Sequence, residues 1–195
     1  ASKSVLIKYN IEPIEVTVPG QIAAIKKGIE VNKSDICVFI DDDTEVYSDW
    51  LARALTYFSD SQIGAVGGRD FQPNNPSHTN KLPVGKLTSY GKLFGNHHLG
   101  SGEARHVDFL KGCNMFIRSS LLRKINPILD NLKGSGAQIG NDLVISITPR
   151  LMGYKTIYDP SLLICHYASP REDESRENKT KEARRIEAYN LWLLK

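Results

Sequence analysis

A run of five apolar residues that ends in three consecutive aspartates is the feature that most restricts the fold of this 195-residue chain. The apolar run is Ile36–Ile40, and the acids that follow it are Asp41, Asp42 and Asp43. A short continuous apolar run is typical of a strand that is buried on both faces, as in sheets covered by helices. In open α/β sheets the ligand site lies at the carboxyl ends of the strands, and these carboxylates fall at such an end.

Strand-like and helix-like patterns alternate along much of the sequence. The predicted helices cover residues 21–31 and 49–59, begin again at 121, and run from 143 to a stop at Gly153. The predicted strands cover residues 5–7, 14–18, 36–40, 63–66, 156–158 and 162–165, with a further strand inside 109–117. Ser48 is the expected N-cap of the second helix, and the glycines at 67 and 68 are expected to end the strand before them. This alternation favours an α/β fold in which helices flank a mostly parallel, Rossmann-like sheet.

Two stretches depart from this alternation. Residues 71–105 contain three prolines and five glycines, which predicts a long, irregular and partly helical excursion over the sheet. Residues 171–187 carry six positive and six negative charges, which indicates a solvated helix. We therefore expect an α/β domain over residues 1–170 and a charged amphipathic C-terminal helix over residues 171–195.

Composition excludes several classes of protein. The net charge is only +3, whereas nucleic-acid binding shows as a strongly basic stripe, so we expect no nucleic-acid partner. Cys37, Cys113 and Cys165 form no C-x-x-C pair, which favours reduced thiols in a cytoplasmic protein. No apolar run approaches the roughly 20 residues that cross a bilayer. The final amphipathic segment is instead a candidate for contact with the inner face of a membrane.

The three aspartates indicate a metal site. Adjacent carboxylates repel one another, and a hard divalent cation such as Mg²⁺ or Mn²⁺ relieves that repulsion. Because Mg²⁺ is usually held by one or two carboxylates together with substrate phosphates, the pattern points to a phosphorylated substrate. The alternative is a solvated acidic loop that also caps the next helix.

Seven segments of the sequence occur in a characteristic order. They are Gly20-Gln21-Ile22-Ala23-Ala24 with Gly28-Ile29, residues 35–43, Asp49-Trp50-Leu51, Gly64-Ala65-Val66-Gly67-Gly68, Gly112-Cys113-Asn114-Met115 with Arg118, Gly140-Asn141-Asp142-Leu143 with Arg150, and residues 153–160 with His166. Together they resemble a family 2 glycosyltransferase of the GT-A fold over about residues 15–170. The resemblance implies a catalytic domain that moves a sugar from a nucleotide-diphosphate donor to an acceptor hydroxyl with inversion, in the synthesis of a polysaccharide or glycoconjugate.

The resemblance also implies roles for individual residues. Asp41 would lie by the donor ribose, Asp43 would meet Mn²⁺ or Mg²⁺, and Asp42 would support the loop between them. Asp142 would be the base, with Asn141 in the place of the family's preceding Glu. An Asp in the first turn of a helix is also a common structural feature, so that interpretation stays open for Asp142.

Further residues are assigned more loosely by the same resemblance. His166 is a candidate metal ligand or diphosphate contact, with a structural role as the alternative. Lys26 is a candidate donor contact or part of an exposed helix face. Arg171, with Arg176 nearby, is a candidate for closing over the diphosphate. Candidates for contact with the donor sugar or the acceptor are Gly68, Arg69, Gly112, Cys113, Asn114 and Asn141. The expected donor is of the UDP or GDP type, and the expected acceptor is a glycan or a lipid-linked sugar.

One departure from the family keeps other interpretations open. Family members begin with strands that hold the nucleotide base, and no such segment is recognised before Val5. The sequence also lacks an initiator Met and ends within an apolar pattern, so we expect both ends to be cut from a longer chain. The alternatives are a non-catalytic remnant that binds a glycan or a partner protein, and a nucleotidyltransferase that makes sugar nucleotides. The second of these would need a Gly-rich basic loop that the sequence does not contain.

Overall fold

The computed structural model describes residues 3–73, 79, 81–133, 140–167 and 181–193. Its helices are α1 (Lys3–Lys8), α2 (Gln21–Val31), α3 (Trp50–Thr56), α4 (Ser119–Leu129), α5 (Asn141–Leu151) and α6 (Lys181–Trp192). Its strands are β1 (Ile36–Ile40), β2 (Thr44–Val46), β3 (Ile63–Phe71), β4 (Lys86–Leu87), β5 (Leu93–Phe94), β6 (Arg105–His106), β7 (Asn114–Arg118) and β8 (Lys155–His166). A single 3-10 turn, Tyr57–Ser59, extends α3.

The central sheet is mixed, with strand order β1-β7-β3-β8-β2 and β6 paired to β8. β3 and β8 pair in parallel, and β1 runs in the same direction as β3 because both are antiparallel to β7. The α/β class is therefore confirmed, but the sheet is mixed where a mostly parallel one was predicted. The reason is that β7 enters the sheet between β1 and β3 in the opposite direction. A short apolar run does not reveal the direction of its neighbour.

Helices cover both faces of this sheet. Alternate residues of β7 point to opposite sides, so that Met115 and Ile117 pack towards α2, α4 and α5, whereas Phe116 packs towards α3. Trp50 of α3 packs against Phe116 with the two rings tilted by 51°, and their centroids are 4.5 Å apart. This two-sided burial fixes the central strands and thereby the ends of the strands that carry the acidic residues.

β1 is half-buried, although its apolar sequence predicted a strand buried on both faces. Within the described residues β1 pairs on one side only, with β7, so its other edge is not covered by a strand. Ile40, the last residue of β1, has 45% of its surface exposed. An apolar sequence is thus compatible with a position at the edge of the described sheet.

Several predicted elements differ from the structure. Residues 5–7 lie in α1 and residues 14–18 form no strand, because a run of three to five residues does not hold a strand without a partner to pair with. Asp49, and not Ser48, occupies the N-cap position of α3. The segments 156–158 and 162–165 belong to one long strand, β8. The described part of residues 71–105 contains short strands and no helix.

The glycines at 67 and 68 do not end β3, which continues to Phe71. Both glycines allow close packing inside the sheet. A Cβ at Gly68 would lie 1.8 Å from the carbonyl oxygen of Leu162, and a Cβ at Gly67 would lie 2.7 Å from that of Asn114. The strand therefore carries Arg69 and Asp70 further into the site than the sequence predicted.

The other helices agree more closely with the sequence, although α4 begins at Ser119 and α5 at Asn141, each two residues before its predicted start. α2 has the predicted bounds, and Gly153 follows α5 with a positive φ of 84°, as expected for a C-terminal stop. α6 forms over the end of the charged segment, and the division of the chain at residue 170 stays a prediction. In the described part of the chain, no helix combines the length and the apolar character needed to cross a bilayer.

Candidate functional site

The acidic residues after β1 lie in a tight turn that leads into β2. Thr44 closes the turn by donating its hydroxyl hydrogen to the carbonyl oxygen of Asp41, at 2.6 Å. β2 then pairs with the carboxyl end of β8, and Thr44 lies opposite His166. The backbone N–H of Tyr167 donates to the carbonyl oxygen of Asp43, at 2.9 Å. These pairings bring His166 to the acidic turn, although more than 120 residues separate them in the sequence.

Asp41, Asp43 and His166 form a compact cluster. His166 Nε2 lies 3.2 Å from Asp43 Oδ1 and 3.9 Å from Asp41 Oδ2. One nitrogen or oxygen from each of the three side chains lies within 4.8 Å of the others. Two carboxylates and an imidazole at this spacing fit a divalent cation, whose charge would offset theirs. Asp42 is exposed, as expected for the middle residue of the turn.

His166 is almost completely buried, with 2% of its surface exposed. Neither of its ring nitrogens makes a hydrogen bond to the described residues. A buried polar atom without a partner is costly, and such atoms often mark a site that is completed by a ligand or an ion. The ring is therefore suited to be a metal ligand, which was one of its predicted roles.

Asp70 lies on the other side of the His166 ring and was given no role from the sequence. It is fully buried, its Oδ2 lies 3.8 Å from His166 Nδ1, and the ammonium group of Lys111 contacts the same oxygen. Burial acts to raise the pKa of Asp70, but the contact with His166 and the charge of Lys111 outweigh it and hold that pKa well below its ordinary value. In the sequence, Asp70 directly follows Gly67-Gly68-Arg69. This position points to the site only if β3 continues past the two glycines, as it does in the structure.

Cys113 forms a second group with Asp70 and His166, in which ligand atoms also lie within 4.8 Å of one another. This group does not fit a metal well. The hard cations Mg²⁺ and Mn²⁺ prefer oxygen ligands to the sulfur of a cysteine. The contact of Lys111 with Asp70 already places a positive charge there. Of the two groups, Asp41, Asp43 and His166 therefore fit a divalent cation better.

Asp142 lies in the first turn of α5. Gly140 occupies the N-cap position of this helix with a positive φ of 87°, a conformation that glycine adopts readily. Its Oδ1 accepts the N–H of Leu143 at 2.9 Å, and the N–H of Gly112 also donates to this carboxylate. Burial raises the pKa of Asp142, although both backbone hydrogen bonds act to lower it. A carboxylate with a raised pKa is a better proton acceptor, which suits a general base.

A cavity of about 430 Å³ joins the acidic turn to Asp142. Asp41 and His166 line it together with Asp142, Gly112 and Asn141. Its other lining residues include Gln21, His97, His98, Lys111, Cys113 and Glu187. A second cavity, of about 600 Å³, runs along α2 and β1 and shares Asp41, Gly112, Asn141 and Asp142 with the first. Together these volumes are of the size that holds small-molecule ligands.

The structure does not bring every predicted residue to these cavities. Lys26 forms an ion pair with Asp130 and lies on a different surface, in agreement with the exposed-face interpretation. Gly68 is packed against Leu162. Arg69 lines neither cavity and donates from Nε to the carbonyl oxygen of His98, at 3.0 Å. Arg171 and Arg176 lie outside the described residues.

Asn114, another predicted contact, has its side chain bound within the protein. Its Oδ1 accepts the indole N–H of Trp50 at 3.0 Å, and its Nδ2 donates to the carbonyl oxygen of Leu162 at 2.8 Å. Its role is thus to join α3, β7 and β8. Asn141 remains at the cavity, where its Nδ2 donates to Gln21 Oε1 at 2.7 Å.

Gln21 and His97 are among the lining residues of the cavity that were not predicted as site residues. Gln21 is the first residue of α2, and its side-chain oxygen accepts a hydrogen bond from Asn141 of α5. His97 Nε2 lies 3.1 Å from the carbonyl oxygen of Phe109, and burial lowers the pKa of His97 to about 4. His97 is therefore neutral at physiological pH and belongs to the wall of the cavity. No local sequence pattern marks either residue.

The chain is similar to known proteins at the level of family and of fold. The family model described as "Glycosyltransferase like family 2" matches residues 7–185. A search of curated proteins found no match. Among solved structures, the fold is similar to the mannosyltransferase PcManGT from Pyrobaculum calidifontis in complex with GDP-Man and Mn²⁺. That similarity has a TM-score of 0.52 and 18% sequence identity, and it covers 94% of this chain and 54% of the other, so this chain spans about half the length of that protein.

Proposed function

Because this chain belongs to the glycosyltransferase-like family 2, we propose that its cavity transfers a sugar from a nucleoside-diphosphate donor to an acceptor hydroxyl, with a divalent cation and with inversion. One observation carries the proposal. A single cavity is lined by Asp41 and His166 of the acidic cluster and by the half-buried carboxylate of Asp142. The first arrangement suits a diphosphate with its cation, and the second suits the deprotonation of a hydroxyl.

The acidic turn is the proposed donor end of the cavity. Asp43 and His166 would hold the cation, with Asp41 beside them at the ribose. When bound, the cation supplies positive charge that stabilises the diphosphate as it leaves. Because one ligand is an imidazole nitrogen, we propose Mn²⁺ over Mg²⁺, which prefers oxygen ligands alone. The fold relative PcManGT was solved with GDP-Man and Mn²⁺, which makes GDP-mannose the first donor to test here.

Asp142 is the proposed base. Inversion requires a proton acceptor on the face of the sugar opposite the leaving group. Asp142 would accept the proton of the acceptor hydroxyl through the oxygen that faces the cavity. The N–H groups of Leu143 and Gly112 hold the carboxylate in place. The acceptor hydroxyl would belong to a glycan or to a lipid-linked sugar, as the sequence predicts.

A transfer assay tests the proposal. The folded protein is incubated with a panel of UDP- and GDP-sugars, Mn²⁺ and glycan acceptors, and the released nucleoside diphosphate is measured. We expect release with at least one donor, dependent on the metal. Asp142→Asn should reduce the rate by about 10²–10⁴-fold, the usual contribution of a general base.

Two results would count against the proposal. No release from any donor by the folded wild-type protein would contradict the enzymatic function and favour the non-catalytic interpretation. Equal rates for the wild type and Asp142→Asn would remove the base assignment. Nucleoside-diphosphate binding by Asp142→Asn serves as the control that the donor end of the cavity is intact.

A further inference from the structure

Lys111 places a positive charge in the wall of the cavity of about 430 Å³. Among the described residues that line this cavity it is the only lysine or arginine, whereas Asp41, Asp142 and Glu187 contribute carboxylates. Its ammonium group contacts Oδ2 of Asp70, whose side chain has no exposed surface, while 33% of the lysine side chain is exposed. The accessible part of this ion pair is therefore the lysine, at the wall of the cavity.

The ammonium group of Lys111 keeps hydrogen atoms for a ligand. An ammonium group donates three hydrogen bonds, and in the part of the chain that the structure describes Asp70 is the only acceptor for this one. Burial acts to lower the pKa of Lys111, but the charge of Asp70 outweighs it and raises that pKa, so the group stays protonated at physiological pH. Lys111 can therefore donate to a further oxygen atom inside the cavity.

Lys111 lies between the two ends of the cavity. On one side its partner Asp70 faces the His166 ring, with 3.8 Å from Asp70 Oδ2 to Nδ1. On the other side the next residue, Gly112, donates its N–H to Asp142. In an inverting transfer the diphosphate leaves from one face of the sugar and the base acts on the opposite face, so the sugar lies between them. With the diphosphate at the acidic turn and Asp142 as the base, the space beside Lys111 is that of the donor sugar.

We propose that Lys111 binds the donor sugar by donating a hydrogen bond to one of its hydroxyl oxygens, with Asp70 holding the ammonium group in place. Because Asp70 offsets the charge of Lys111, the pair presents no net charge to the cavity and suits a neutral hexose better than an acidic sugar. This inference rests on the proposed function, since it places the sugar between the acidic turn and Asp142. It assigns a role to a lysine that neither the sequence pattern nor the family resemblance marked.

Binding measurements separate the sugar from the rest of the donor. In calorimetric titrations with Mn²⁺, Lys111→Met should bind GDP-mannose, or the donor that the transfer assay identifies, about 10–100-fold more weakly than the wild type. This is the usual effect of losing a hydrogen bond from a charged group. The variant should bind the corresponding nucleoside diphosphate, which carries no sugar, as the wild type does.

Lys86→Met is the matched control. Lys86 lies 3.7 Å from Asp108, which is also buried, but it lines neither cavity, so this variant should keep the wild-type affinity for the nucleotide sugar. A double variant, Lys111→Met with Asp70→Asn, removes the ammonium group without leaving a buried charge unpaired, which would be costly. It should show the same selective loss, and it keeps the test decisive if Lys111→Met does not fold.

Deoxy analogues of the donor identify the hydroxyl group that is bound. A site that hydrogen-bonds a substrate hydroxyl discriminates against the analogue that lacks it. One monodeoxy analogue of the donor sugar should therefore bind the wild type about 10–100-fold more weakly than the donor itself. In Lys111→Met this difference should shrink, because the hydrogen bond is already absent. A difference that is unchanged in the variant for every analogue would overturn the contact.

The outcomes separate this inference from the proposed function. If the wild type transfers a sugar and Lys111→Met binds that donor equally well, the contact is wrong and the proposed function stands. If Lys111→Met loses nucleoside diphosphate and nucleotide sugar to the same extent, or Lys86→Met loses as much as Lys111→Met, the effect does not involve the sugar and the inference is wrong. If the wild type binds no nucleotide sugar, the proposed function is wrong and the inference falls with it. A wild-type preference for a uronic acid donor would overturn the choice of a neutral hexose.

Discussion

At the scale of single residues, the two ends of the cavity give their carboxylates different surroundings. Asp43 faces the edge of a buried imidazole, at 3.2 Å. Asp142 faces backbone N–H groups at the start of α5 and is desolvated, so its pKa is raised. The first environment suits the binding of a cation, and the second suits the acceptance of a proton. Both chemistries depend on neighbours that are distant in sequence.

The pH dependence of transfer follows from the pKa of Asp142. The base acts only when it is deprotonated, so the rate should fall as the pH drops through that pKa. Because burial raises the pKa, the acidic limb of kcat/KM should lie above the ordinary carboxyl value of 3.8. A limb at or below that value in the pH–rate profile would contradict the described environment of Asp142.

The choice of metal depends on His166. Replacing the imidazole in His166→Asn removes the nitrogen ligand and leaves an amide in its place. We expect Mn²⁺ binding to weaken by about tenfold or more, and Mg²⁺ binding to weaken less, since Mg²⁺ prefers oxygen. Titration of both metals into the two proteins measures the difference. An unchanged Mn²⁺ affinity would show that His166 is structural.

At the scale of elements, the pairing of β8 with β3 and β2 assembles the metal end of the cavity. β8 carries His166, β3 carries Asp70, and β2 holds the acidic turn against the end of β8. Close contact between β3 and β8 requires glycine at position 68, where a Cβ would lie 1.8 Å from the carbonyl oxygen of Leu162. The glycine is thus explained by packing and not by contact with a sugar.

Gly68→Ala should therefore destabilise the fold. The contact is with backbone that cannot rotate away, so we expect a loss of about 3 kcal/mol or more in the free energy of unfolding. Gly28→Ala is the matched control, because Gly28 lies inside α2 and a Cβ there meets no atom within 4 Å. That variant should be more stable by roughly 0.5–1 kcal/mol. Thermal denaturation of both variants measures these changes in stability. A Gly68→Ala protein as stable as the wild type would contradict the described packing.

The local sequence pattern was sufficient to predict part of the fold and part of the candidate site. β1, α2 and the end of α5 have the strong local signals of an apolar run, helical periodicity and a C-terminal glycine, and they occur as predicted. Two of these elements carry predicted residues to the cavity, since Asp41 directly follows β1, and Asn141 and Asp142 begin α5.

The rest of the site depends on strand pairing, which local pattern does not contain. The direction of β7, the continuation of β3 through its glycines and the place of Asp70 beside His166 are set by contacts between segments far apart in sequence. For the same reason Lys26, Gly68 and Asn114 were predicted as contacts but serve packing or ion pairing elsewhere. Residue spacing along the chain does not show whether a side chain lines the cavity or serves packing elsewhere.

At the scale of the whole molecule, the cavity lies where the carboxyl end of β1 meets the N-termini of α2 and α5. α6 also reaches it, since Glu187 lines the cavity and Asn190 is fully buried, with hydrogen bonds to the backbone of Lys133. The family match likewise extends to residue 185. Contact with a membrane surface and a cytoplasmic location remain predictions from the sequence.

The central claim is that the acidic turn binds a nucleoside diphosphate together with Mn²⁺. Calorimetric titration of GDP, and then of UDP, into the folded protein with and without Mn²⁺ tests it most directly. The account predicts binding of one nucleotide that requires Mn²⁺ and is lost in Asp43→Ala, whereas Asp142→Asn binds as the wild type does. Binding that is the same with and without Mn²⁺, or the same in Asp43→Ala and the wild type, would contradict it.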